Sequence, residues 1–76
     1  SMYDVKVYPN PNQGTINVEV SGETEYQICN YLGQCILSGR FCNETQIHAE
    51  NLGEGVYFLR LIGEQGTRVE KIIIEK

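Results

Sequence analysis

Apolar and polar residues alternate along most of this chain. Ile16, Val18 and Val20 are separated by Asn17 and Glu19, and Tyr57, Leu59 and Leu61 by Phe58 and Arg60. A period of two turns one face of a strand into a core and leaves the other in solvent, and no segment repeats at the spacing of an amphipathic helix. The pattern predicts strands at 4–8, 15–20, 25–31, 35–41, 45–48, 56–62 and 68–75. The separators carry turn chemistry: Ser21-Gly22-Glu23, Leu32-Gly33-Gln34, Cys42-Asn43, Asn51-Leu52-Gly53-Glu54-Gly55 and Gly63-Glu64-Gln65-Gly66. About seven short strands at intervals of roughly ten residues describe an all-β domain, a single small antiparallel β-sandwich, immunoglobulin-like in architecture.

The same alternation nominates the core. Its members are Val5, Ile16, Val18, Tyr26, Ile28, Ile36, Ile47, Leu52, Tyr57, Leu59, Leu61 and one face of the run from Val69 to Ile74. Ile72, Ile73 and Ile74 cannot all point to one side of a sheet, so either both faces are covered there or one isoleucine is exposed. Lys71, Glu75 and Lys76 flank the run, where charge opposes edge-to-edge aggregation.

Ahead of the first long run lies Val7-Tyr8-Pro9-Asn10-Pro11-Asn12-Gln13-Gly14, which holds both prolines of the chain. Proline has no backbone donor and restricts the residue before it, so regular structure stops and the chain reverses at a fixed place.

Length and charge narrow the function. A chain of 76 residues makes one domain and buries only roughly 60% of the surface its unfolded form exposes. So thin a core does not enclose a deep polar cavity, which argues for flat or edge-based interaction over catalysis. The net charge of -4 comes with no basic run, which excludes a phosphate-binding footprint for nucleic acid. No apolar stretch has the length of a membrane helix, so membrane insertion is not expected. Ser1-Met2 reads as a scar before an artificial start, leaving 3–76 as a domain cut from a longer protein.

Candidate chemistry is sparse. Five and six residues lie between successive members of Cys29, Cys35 and Cys42, unlike zinc pairs about two to four apart, and His48 is the only histidine, so no metal site is expected. Cys29 and Cys35 flank a turn and should point away from the core on adjacent strands. They bridge only if their Cα atoms fall within roughly 4.4–6.8 Å, and an odd cysteine count leaves two free thiols as the alternative. Cys42 with His48 lacks an orienting group or oxyanion donors. Glu23 with Glu25, and Glu50 with Glu54, sit at turns where solvated charge is expected. Asp4, Asn10 and Asn12 offer oxygens to calcium, but asparagine at a turn more simply bonds the turn's own backbone. Asn43-Glu44-Thr45 matches a glycosylation acceptor, a weak three-residue signal. No cofactor follows from any of these.

Four segments in order carry a resemblance. They are the proline turn with Pro9, Asn10, Pro11 and Gly14; Ile28-Cys29-Asn30-Tyr31-Leu32-Gly33-Gln34 with its Asn30 to Gly33 hairpin; Leu52-Gly53-Glu54-Gly55-Val56-Tyr57-Phe58-Leu59-Arg60-Leu61; and Lys71-Ile72-Ile73-Ile74-Glu75-Lys76. Across essentially its whole length the chain resembles the C-terminal sorting domain of the type IX secretion system of Bacteroidota. Cys29 and Cys35 depart from that pattern, where an aromatic or other non-cysteine residue and a polar one are usual.

The resemblance implies a non-catalytic address. Such a domain directs an upstream cargo in the same chain through the periplasm and across the outer membrane, to the cell surface or beyond, and its partners are the secretion machinery and a sortase-like surface protease that removes it from many cargoes. The terminal residues Lys71, Ile72, Ile73, Ile74, Glu75 and Lys76 are the recognition candidates, because a strand at a sheet margin offers free backbone groups to strand addition. Pro9, Asn10, Pro11 and Gly14 come second for contact and, with Asn30, Gly33, Leu52, Gly55 and Tyr57, read as structural, the prolines fixing the turn, glycine admitting the chain to the strand and tyrosine filling the core with its hydroxyl at the rim. The alternative, a surface adhesion or carbohydrate-binding β-sandwich module, requires exposed aromatics in a cluster, with Tyr3, Tyr31, Phe41 and Phe58 available. A small redox or metal-binding domain requires a reactive thiol or a bound metal.

Overall fold

The computed structural model describes residues 4–76. The expected scar Ser1-Met2 and the aromatic Tyr3 lie outside the described residues. Among those described, five strands form one antiparallel sheet: β1 (Val5–Tyr8), β2 (Thr15–Cys29), β3 (Cys35–His48), β4 (Gly55–Gly63) and β5 (Gly66–Ile74). The all-β antiparallel character follows the alternation. The strand count does not, because two of the predicted turns lie inside continuous strands.

The segments expected at 15–20 and 25–31 run on as β2, and those at 35–41 and 45–48 as β3. Their register passes from Val20↔Asn43 to Glu23↔Cys42, so Ser21 and Gly22 stand without partners. Gly22 takes φ 91° and Asn43 φ 73°, and the Gly22 N–H donates to Asn43 Oδ1 at 2.9 Å. Extra residues on one strand bend a ribbon and raise its twist without reversing it. Glycine serves such a bulge for the same reason it serves a turn, its tolerance of positive φ.

This bend sets the topology. β3 pairs with β2 along nearly its whole length, while the other edge of β2 receives β1 on its first half (Val5↔Val20 to Tyr8↔Asn17) and β4 on its second (Thr24↔Gly63 to Cys29↔Phe58). A two-residue loop, Glu64-Gln65, then returns β5 along β4. The sheet curls into a half-barrel and does not divide into the two facing sheets of a seven-stranded sandwich.

The concave face is the core. Ile16, Val18, Val20, Ile28, Ile47, Ala49, Leu59, Leu61, Ile72 and Ile74 are each no more than 2% exposed. Fully burying an aliphatic side chain of this size stabilises by roughly 1.5–3 kcal/mol. Val5, Tyr26, Leu52 and Tyr57 pack against the cluster as half-buried members. Ile36 is a correction: it is 39% exposed, and Leu37 packs against the core in its place. A second register shift, between Ile28 and Cys29, pairs Ile28 with Leu37 and Cys29 with Cys35, leaving Ile36 as the unpartnered extra. The isoleucine run resolves by parity, with Ile72 and Ile74 inside, Ile73 half-buried and Val69 exposed on the outer face.

Candidate recognition site at the proline turn and the terminal strand

Both prolyl bonds of the turn, Tyr8–Pro9 and Asn10–Pro11, are cis. Pro9 and Pro11 cannot donate to a ladder, so the pairing falls to the asparagines between and after them. Asn10 works through its side chain: Nδ2 donates to the Lys71 carbonyl at 2.8 Å, and Oδ1 accepts from the Ile73 N–H at 2.9 Å. Asn12 works through its backbone, its N–H donating to the Ile73 carbonyl at 2.9 Å and its carbonyl accepting from the Glu75 N–H at 2.8 Å. The segment thereby adds a short parallel bridge, Asn12↔Ile74, to the outer edge of β5. One corner of the half-barrel is closed by it.

Gly14 anchors the far side of the turn. Its N–H donates to Asn12 Oδ1 at 2.8 Å and its carbonyl accepts from the Ala49 N–H at 2.6 Å. With φ at 114°, a Cβ here would stand 2.8 Å from the Glu50 Cα. Only glycine fits both the conformation and the approach.

Lys76 reaches the same corner. Its ammonium donates to the carbonyls of Glu50 (2.5 Å) and Leu52 (2.7 Å), and its backbone N–H donates to Glu54 Oε2 at 3.0 Å. Leu52 closes a turn on the Ala49 carbonyl at 3.0 Å, and the Tyr57 hydroxyl donates to the Gly53 carbonyl at 2.7 Å. Gly55, at φ 150°, opens β4 against Ile74. Three of the four sequence segments therefore meet at one place. The fourth closes upon itself: Asn30 Oδ1 accepts from the N–H groups of Leu32 (2.9 Å) and Gln34 (3.0 Å), and the Gly33 N–H donates to the Asn30 carbonyl at 2.9 Å.

The terminal residues are placed differently from the expectation of a free edge. Between Lys71 and Glu75 the outward backbone groups named above are taken by Asn10 and Asn12, so strand addition finds that stretch occupied. Ile72 and Ile74 are exposed by 1% or less. What remains open is the exposed side chains of Lys71 and Glu75 and a shallow groove of about 560 Å³ lined by Pro9, Pro11, Asn12, Gln13, Thr15, Asn17 and Glu75. Asn12 is 3% exposed, and its Nδ2 is buried without a hydrogen-bond partner.

Two titrating groups border this region. The Tyr8 hydroxyl donates to Glu19 Oε2 at 2.6 Å, and this bond to a carboxylate, with some desolvation and the charges of Glu19 and Glu44, holds the phenol above its ordinary range. Glu50 accepts from the Thr15 hydroxyl at 2.8 Å, and this bond, then its own backbone N–H, then His48 at 3.3 Å, hold the carboxyl below its ordinary range.

The other sequence candidates do not assemble. Cys42 lies opposite Glu23 and His48 opposite Thr15, well apart along β3. Asn10 and Asn12 spend their side-chain oxygens on Ile73 and Gly14. Among the described residues no group of three or more His, Cys, Asp or Glu gathers where a metal could sit. Phe41 tilts against Tyr26 with ring centroids 6.3 Å apart and packs on the core, away from the exposed Tyr31. Sequence reasoning missed Ala49, whose N–H donates to Gly14, and took Glu50 only as solvated charge, whereas its carbonyl accepts from Lys76. No local signal marks them, because their partners lie at the two ends of the domain.

The sequence matches the family model described as secretion system C-terminal sorting domain over residues 6–75. This chain belongs to that family, the C-terminal sorting domains of type IX secretion. Membership implies a sorting signal acting in export across the outer membrane to the cell surface or the medium, and the family is generally non-catalytic. Comparison with curated proteins gave no match.

Proposed function

We propose that this domain is the address of an upstream cargo exported through the periplasm, that the secretion machinery reads it at the closed corner where the proline turn meets β5, and that a sortase-like surface protease then separates it from the cargo. The observation that carries this reading is the pair of Asn10 amide bonds to Lys71 and Ile73, which merges two sequence motifs into one surface. The side chains of Lys71 and Glu75 and the rim residues Pro9, Pro11 and Gln13 form the readable part. Buried Ile72 and Ile74 support it from behind.

A reporter fused upstream of the domain in a competent host tests the proposal. Lys71→Glu leaves the backbone bonds of the corner in place while inverting an exposed charge. Surface arrival of the reporter should fall severalfold while the purified variant keeps its urea midpoint. Undiminished surface arrival with Lys71→Glu and also after deletion of 71–76 would remove the terminal strand from the recognised surface.

A further inference from the structure

The geometry points to an oxidative cross-link between Cys29 and Cys35, closing the β2–β3 hairpin when the domain meets a disulfide oxidant; the setting rests on the export reading above. The two residues are direct partners across the ladder. Antiparallel partners have Cα atoms about 4.5–5.5 Å apart, inside the roughly 4.4–6.8 Å that a disulfide spans. The bulge at Ile36 creates this pairing. Without the register shift, Cys29 would face Ile36 and the thiols would be staggered.

The surroundings favour the reaction. Cys35 is exposed and Cys29 half-buried, so an oxidant can approach. The Asn30 N–H donates to the Gln34 carbonyl at 3.0 Å immediately beyond the pair, holding the two strands together. Cys35 Sγ contacts its own strand's Leu37 carbonyl at 3.6 Å, a weak bond released by one side-chain rotation. Cys42 does not compete, since it stands opposite Glu23 seven positions along β3, about 23 Å at the rise of a strand.

The chemistry balances through thiol–disulfide exchange. The thiolate of one cysteine attacks the oxidant's disulfide, forming a mixed disulfide and releasing one thiolate. The second cysteine's thiolate attacks the protein sulfur of that mixed disulfide, forming the Cys29–Cys35 bond and releasing the other. The domain loses two electrons and the oxidant gains them; the two thiol protons end on its released thiolates. The product pins the hairpin that presents Tyr31, 78% exposed, and Leu32, 68% exposed. Secreted domains meet the oxidising conditions in which such bonds persist.

The test uses the purified domain with oxidised glutathione. The peptides holding Cys29 and Cys35 should become linked with the loss of two hydrogens and no glutathione, while the exposed Cys42 ends as a free thiol or a glutathione adduct. Cys42→Ser should leave the cross-link intact, whereas Cys29→Ser should stall at a glutathione adduct on Cys35. Cross-linking should be at least severalfold faster in the folded domain than in the urea-unfolded chain. Three persisting thiols, a bridge through Cys42, or equal rates in both states would overturn the proposal. None of these readouts depends on secretion, so failure here stays distinct from failure of the sorting role.

Discussion

The side-chain amide of Asn10 occupies the edge of β5 as a strand residue would, giving its Nδ2–H to Lys71 and taking the N–H of Ile73. A net hydrogen bond contributes about 0.5–1.5 kcal/mol, and a backbone group left unpaired costs more when it is shielded from water. Asn10→Ala should therefore lower stability by about 1–2 kcal/mol in urea titration and speed amide exchange at Ile73. Asn10→Asp keeps the acceptor for Ile73 but sets a carboxylate against the Lys71 carbonyl, so it should restore little. Wild-type stability in both variants would mean that the edge holds without this amide.

Gly14 and Gly53 separate conformational need from mere occurrence. A Cβ on Gly14 would meet the Glu50 backbone at 2.8 Å with φ at 114°, whereas one on Gly53 meets nothing within 4 Å. Gly14→Ala should cost about 1–3 kcal/mol and Gly53→Ala should stay within about 0.5 kcal/mol of wild type. Thermal unfolding of the two variants side by side makes the comparison.

Asn43 carries the bend of the β2–β3 ribbon through its positive φ and its bond to Gly22. Asn43→Gly should keep the conformation and lose the bond, while Asn43→Ala should lose both and be the less stable by about 1 kcal/mol. Equal stability would separate the bend from Asn43.

Titration should show two shifts of opposite direction. The phenol of Tyr8, held up by Glu19, contributes stability fully below the ordinary phenol pKa and loses it as pH rises through the raised folded value. Glu19→Gln should bring one tyrosine's absorbance midpoint down. The carboxyl of Glu50, held down chiefly by the Thr15 hydroxyl, contributes stability above the ordinary carboxylate pKa and loses it as pH falls through the lowered folded value. Thr15→Val should move the Glu50 carboxyl resonance midpoint upward toward the ordinary range. A midpoint that stays put in either variant would break that assignment.

Strict alternation made much of the core legible: Ile16, Val18, Ile28, Ile47, Leu59 and Leu61 are buried where period two places them. The errors fall where β2 or β3 carries residues without a partner in the ladder. Ser21-Gly22-Glu23 has the composition of a turn, and its role as a bulge depends on Asn43, twenty-one positions from Gly22 and invisible to a local window. Ile36 and Leu37 exchange roles for the same reason. At the candidate site the position of the proline turn was evident from proline chemistry, but its partner was not. Each asparagine could satisfy the turn locally, and only the fold decides that Asn10 reaches β5 while Asn12 Oδ1 stays with Gly14.

Asn10 and Ile73 are 63 residues apart in sequence. During synthesis the proline turn emerges early and has no edge to close upon until nearly the whole domain has followed it. Non-local pairings of this kind form slowly, because the intervening chain must be ordered before they reward it. A chain halted before Ile73 has all of the first motif but lacks the partners of Asn10 Oδ1 and of the Asn12 backbone. The seam thus closes only after translation has passed through nearly the whole domain.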